Sequence, residues 1–176
     1  MDRRLGQRLI VGAAAGAVGT AAMDLVLYRR YRCGGGDDSL WRWESATGVT
    51  SWDQASAPGQ IGRKLQRLAT RREPADRSAR TTTNIVHWAT GIGWGLQYGA
   101  LAGLTTRRPW LTAAALGPAA WVSGYVVLPL TGVYEPIWKY GARTLADDLS
   151  AHLVYGAATS AAFAALWRRR RWVWSE

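Results

Sequence analysis

The sequence predicts an all-α, polytopic membrane protein with four transmembrane helices arranged as two hairpins. Three observations carry that prediction. Four apolar stretches, 9–28, 83–104, 110–133 and 149–167, run for 19 to 24 residues each, and a helix needs about 20 to cross the hydrocarbon core. None contains Lys or Arg, whereas an amphipathic helix of a soluble protein shows a polar face along its length. Of the eleven tryptophans, Trp110, Trp138, Trp167, Trp172 and Trp174 fall at or just beyond segment ends, where amphipathic rings favour the headgroup zone. The mean hydropathy of −0.13 hides this division, because it averages apolar segments with strongly basic ones. At 176 residues, the whole chain (1–176) reads as a single membrane domain.

The first helix, 9–28, follows the basic start MDRRLGQR. A signal peptide would share that start, but its apolar core spans only about 7–15 residues. The longer run here is expected to be a retained helix. A polar loop, 29–82, comes next, beginning with the flexible turn GGGDDS (34–39). Within it, PGQIGRKLQRLATRR (58–72) sets Ile61, Leu65 and Leu68 on one helical stripe, flanked by Arg63, Lys64, Arg67, Arg71 and Arg72. That basic amphipathic pattern suits either a helix lying on an anionic membrane surface or a solvated, partly ordered loop helix. The second and third helices are joined by the tight turn TTRRP (105–109), and about fifteen residues, 134–148, lead into the fourth. Arg168–Arg171 then abuts the fourth helix directly, favouring both termini on the cytoplasmic side. The net charge of +10 is spread around the apolar segments, so the expected partners are the bilayer and its anionic lipids rather than nucleic acid. A lone Cys33 excludes an intrachain disulfide.

Small residues mark the helix contacts. Gly91, Gly95, Gly99 and Gly103 recur every four residues on the second helix, Gly12 and Gly16 on the first, and Gly156 and Ser160 on the fourth. Inside lipid, helices associate through close backbone approach at such positions. The spacing therefore predicts packing seams, either within the bundle or between protomers, and an accessory, self-associating membrane subunit is the first functional expectation. A faint repeat relates His87-x3-Gly91-x3-Gly95 to His152-x3-Gly156-x3-Ser160, as two duplicated hairpins would.

Hairpin topology gathers the embedded polar residues Asp24, Asn84, His87, Glu135, Asp148 and His152 at one membrane face. Ionisable groups in such segments usually face the bundle interior or water. Asp148 and His152 are i, i+4 neighbours able to pair, and Asp24 lies near Arg29 and Arg30 in sequence, which would neutralise it. Two further functional expectations follow. The cluster could form the mouth of a small transport or proton-handling protein. Alternatively, His87 and His152, at matching depth, could ligate a metal or a haem. Walker, Gly-x-Ser-x-Gly and His-Glu-x-x-His signatures do not occur, nor does a cysteine pair, so no enzymatic activity is read from the chain.

Three stretches, GTAAMD (19–24), HWATGIGWGLQYG (87–99) and DLSAHLVYGA (148–157), are similar to the YagU-like family of small bacterial inner-membrane proteins. The resemblance covers the helices and not the long loop. It implies a multi-pass protein of the bacterial plasma membrane and carries over no catalytic residue or cofactor.

Overall fold

The computed structural model describes residues 3–102 and 109–173, and among them every regular element is helical. Four long helices form the body: α1 (Arg3–Cys33), α4 (Ala79–Leu101), α5 (Pro109–Leu130) and α6 (Ala142–Val173). Two shorter ones, α2 (Leu40–Glu44) and α3 (Ala57–Thr70), lie in the first connection. Three helices contain segments long and apolar enough to cross a membrane: α1, α5 over Leu111–Leu130, and α6 over Ala142–Arg168. The fourth, α4, has 23 residues and is diluted by three threonines near its start and by Asn84, His87 and Gln97. Gly103, most of the turn TTRRP, and the side chains of Trp110, Trp172 and Trp174 lie outside the described residues.

α1, α4 and α6 begin several residues before the apolar stretches that announce them. α1 begins at Arg3 and continues through Arg29, Arg30 and Arg32, because arginine is nearly as good a helix former as leucine. α6 starts at Ala142, so Asp147 and Asp148 sit in its second turn rather than capping its first. α5 stops at Leu130, where Gly132 takes a left-handed φ of 68° and turns the chain. The expected turn at 34–39 is present, with Gly35 at φ 94°, and Ser39 then caps α2 by accepting from the Arg42 backbone N–H.

Helix order in space is α4, α1, α6, α5, and consecutive members of that arc pack antiparallel. The glycines set these contacts. A Cβ on Gly16 would come within 2.7 Å of the Gly91 carbonyl oxygen, and one on Gly95 within 2.6 Å of the Gly16 Cα. Gly12 and Gly99 are equally hemmed in, by the backbones of α4 and α1 respectively. Between α5 and α6 the same device uses Gly117 and Gly156, where an added Cβ on Gly156 would lie 2.6 Å from the Gly117 nitrogen. The expected seams thus lie within one chain. Ser160 does not extend the second seam in the same way, since its hydroxyl donates back to the Gly156 carbonyl at 2.8 Å.

Beyond the seams, Val11, Ala15, Tyr98, Leu116, Tyr155 and Phe163 fill the core. Tyr98 and Phe163 meet edge to face, with centroids 5.3 Å apart. The outer faces carry Ile10, Val18, Leu25, Ile85, Val122 and Val126, all exposed.

The first connection folds as a cap on the bundle. Trp52 is its anchor, 2% exposed, with its indole N–H donating to the Pro74 carbonyl at 2.8 Å and the Arg63 guanidinium 5.7 Å above its ring. Arg63 and Arg67 both pair with Glu73. α3 lies against the start of α4, with Gly59 and Gly62 meeting Thr83 and Thr82. The stripe expected on α3 divides accordingly. Leu65 and Leu68 are exposed, while Ile61 turns towards the bundle.

Candidate functional site

The arc of helices and its cap enclose a cavity of about 870 Å³. Its wall is built at the face where α1 and α5 end and α4 and α6 begin. α1 contributes Met23, Asp24 and Leu27, α4 contributes Asn84, His87 and Trp94, α6 contributes Asp148 and His152, and α5 contributes Val127 and Leu128. The cap adds Trp43, Glu44 and Ile61. Thr20, Gly91 and Tyr155 form the floor, where the Tyr155 hydroxyl donates to the Gly91 carbonyl at 2.7 Å and the Thr20 hydroxyl to the Gly16 carbonyl at 2.9 Å. Below that floor lie the glycine seam and the aromatic core. The side is more open. α4 and α5 scarcely touch, and cavity-lining Thr90 on one and Val127 on the other are exposed.

Five of the six polar residues expected to cluster line this cavity: Asp24, Asn84, His87, Asp148 and His152. Glu135 does not. It stands exposed on the connection between α5 and α6, because the turn at Gly132 carries the chain outward before it reaches that residue. Asp24 is not neutralised by the neighbouring arginines. Arg30 instead reaches across to α6, donating to the Asp147 carbonyl at 2.6 Å and the Ser150 hydroxyl at 2.8 Å. The partner of Asp24 is His87, whose Nε2–H donates to Oδ2 at 2.8 Å, with Asp24 only 3% exposed. An ion pair or charge-assisted hydrogen bond at this burial is worth far more than one on the surface.

The two histidines take different partners. His152 Nδ1–H donates to its own helix, at the Asp148 carbonyl 2.9 Å away, with the Asp148 carboxylate at 3.6 Å. Around Asp148, the rings of Tyr125, Tyr134 and Tyr140 pack on one another at centroid distances of 5.4 to 6.0 Å. Burial, then the Asp148 charge, pushes the Tyr134 hydroxyl above its ordinary pKa. Within the one cavity, His152 thus pairs with its own helix near Asp148 and the tyrosines, and His87 pairs with a carboxylate of α1.

Glu44, which sequence reasoning missed, completes that carboxylate pocket. Ligand atoms of Asp24, Glu44 and His87 all lie within 4.8 Å of one another. Burial, and next the Asp24 charge, raises the Glu44 carboxyl above its ordinary range. Its Oε1 is buried with no hydrogen-bond partner among the described residues. Residues 40–44 read LWRWE inside a polar loop, and two tryptophans there are the one hint that this stretch packs rather than floats. The arrangement supplies a buried base or acid pair in a pocket whose remaining wall is largely apolar.

The stretches 19–24, 87–99 and 148–157 bring Asp24, His87, Asp148 and His152 to this cavity. Compared with models of known families, with curated proteins and with solved structures, the chain matches none.

Proposed function

We propose that the protein is a four-pass integral membrane protein that binds a small amphipathic molecule from the bilayer in this cavity. The membrane is that of a bacterial cell, as the resemblance to the YagU-like family implies. The observation that carries the reading is the Asp24–His87 pair, with Asp24 buried, beside an apolar wall of Met23, Leu27, Trp94, Val127 and Leu128. Ligand sites are mostly apolar with a few convergent polar groups, and this one couples an apolar trough to a polar end. The loose flank between α4 and α5 gives lateral access from lipid. Membrane residence of α4 is supported by its length, about 34 Å at 1.5 Å per residue, and by its antiparallel seam with α1. Two carboxylates at the polar end favour an amine or hydroxyl head over an anionic one.

The test uses quenching of Trp94 in the purified full chain, in metal-free buffer. A bromo-undecyl amine is expected to quench saturably, more tightly than the matching bromo-undecanoate, with part of the effect lost in Trp94→Phe and affinity lowered in His87→Ala. Equal quenching by the two head groups, or quenching that never saturates, overturns the reading.

The accessory, self-associating role is the other reading. The glycines do not support it, being occupied inside the chain. Its support is the exposed apolar faces of α1 and α5, and its test is the oligomer size of Val18→Glu and Val122→Glu variants in detergent.

A further inference from the structure

We infer that Asp24, Glu44 and His87 form a binding site for a divalent first-row metal ion, which goes beyond the amphipath reading and would occupy the polar end of the same cavity. Each ligand comes from a different element, α1, α2 and α4, so no local sequence motif announces the set. The ligand atoms all lie within 4.8 Å of one another, His87 Nε2 and Asp24 Oδ2 at 2.8 Å. Bonds of about 2.0–2.2 Å from Zn²⁺ to imidazole nitrogen and carboxylate oxygen place neighbouring ligand atoms roughly 3.3 Å apart in a tetrahedral site. That value lies within the 4.8 Å that encloses the three ligand atoms.

Two further observations point to a cation. The Glu44 Oε1 atom is buried without a partner among the described residues, although an ionised carboxylate oxygen left that way is costly. The charges also balance. Two carboxylates and a neutral imidazole around a dication sum to zero, the composition a low-dielectric pocket tolerates best. Binding requires the Nε2 lone pair of His87, so its ring takes the Nδ1–H tautomer and remains neutral. Oxygen donors with a single imidazole suit Zn²⁺, Mn²⁺ or Fe²⁺ better than a thiolate-seeking ion. Three protein ligands leave a position open towards the cavity, the hallmark of a site that takes water or substrate. His152 is outside the set, which separates this centre from the paired-histidine arrangement suggested by the repeat.

The decisive experiment loads the chelator-treated full-length protein with Co²⁺ or Zn²⁺ and follows binding by elemental analysis and by the visible bands of cobalt. About one ion per chain is expected. Glu44→Gln and His87→Ala should each weaken binding at least tenfold, the lower end of what even ligand-supporting groups contribute. His152→Ala should bind as the unmodified chain does. Glu44→Gln changes only a carboxylate into an amide on the cap, so it decides the matter even where His87→Ala folds poorly. Substoichiometric metal on the unmodified chain, full retention in Glu44→Gln, or equal loss in His152→Ala overturns the assignment.

Discussion

Asp24 is the residue on which the cavity depends. It is almost fully buried on a helix whose middle is rich in alanine and glycine, and His87 is its hydrogen-bonded partner at 2.8 Å. Removing one member of such a pair leaves the other uncompensated, at a cost of about 3–5 kcal/mol. His87→Ala is therefore expected to lower the thermal unfolding temperature in detergent markedly, and Glu135→Gln, on an exposed side chain, to leave it unchanged. A second expectation concerns pH. Glu44 has its folded-state pKa raised above the ordinary value of 4.5, so from 4.5 upward the folded chain holds this proton more strongly than the unfolded one. Its contribution to stability is present below that value and is lost as pH rises through the raised folded pKa. Glu44→Gln removes this slope, and thermal scans of the two proteins across acidic pH should diverge in that direction.

At the scale of elements, the seams make glycines unequal. Gly93 faces open space, while Gly95, two residues on, has the α1 backbone within 2.6 Å of where a Cβ would stand. Gly93→Ala should leave stability the same or raise it by up to about 1 kcal/mol through helix propensity. Gly95→Ala should force α1 and α4 apart, and unfolding scans of the pair should separate clearly. Trp52→Ala tests the cap in the same spirit. Loss of a buried tryptophan costs about 3–5 kcal/mol, and hydrogen exchange should accelerate across 40–70 while α1 and α6 keep their protection.

These elements also mark how far sequence reading reaches. The apolar stretches, the glycine steps and the gathering of Asp24, His87, Asp148 and His152 follow from period and topology, which are local properties. The cap does not. Trp52 is held by Pro74 and Asp76, and Glu44 meets a histidine forty-three residues away, so tertiary contact rather than periodicity fixes both. The wider helix bounds escaped for a simpler reason, since hydropathy ends at the arginines and helix formation does not.

For the whole molecule, the antiparallel arc places Cys33, exposed at the end of α1, on the same side as the cavity. With both termini cytoplasmic, a membrane-impermeant maleimide is expected to label Cys33 in intact cells. Labelling only in inverted vesicles would turn the molecule over and open its cavity to the cytoplasm.

The closed floor at Thr20, Gly91 and Tyr155 has an electrical consequence. Under a membrane potential, most of the voltage falls across whichever layer excludes water and ions, here the tight half of the bundle beneath that floor. A charge at Asp24 or His87 then sits near the potential of the aqueous phase it faces. Moving an elementary charge through a full 100 mV is worth about 2.3 kcal/mol, but a cation entering this pocket crosses little of that drop. Occupancy should follow the concentration outside the cavity and stay indifferent to whether the membrane is energised.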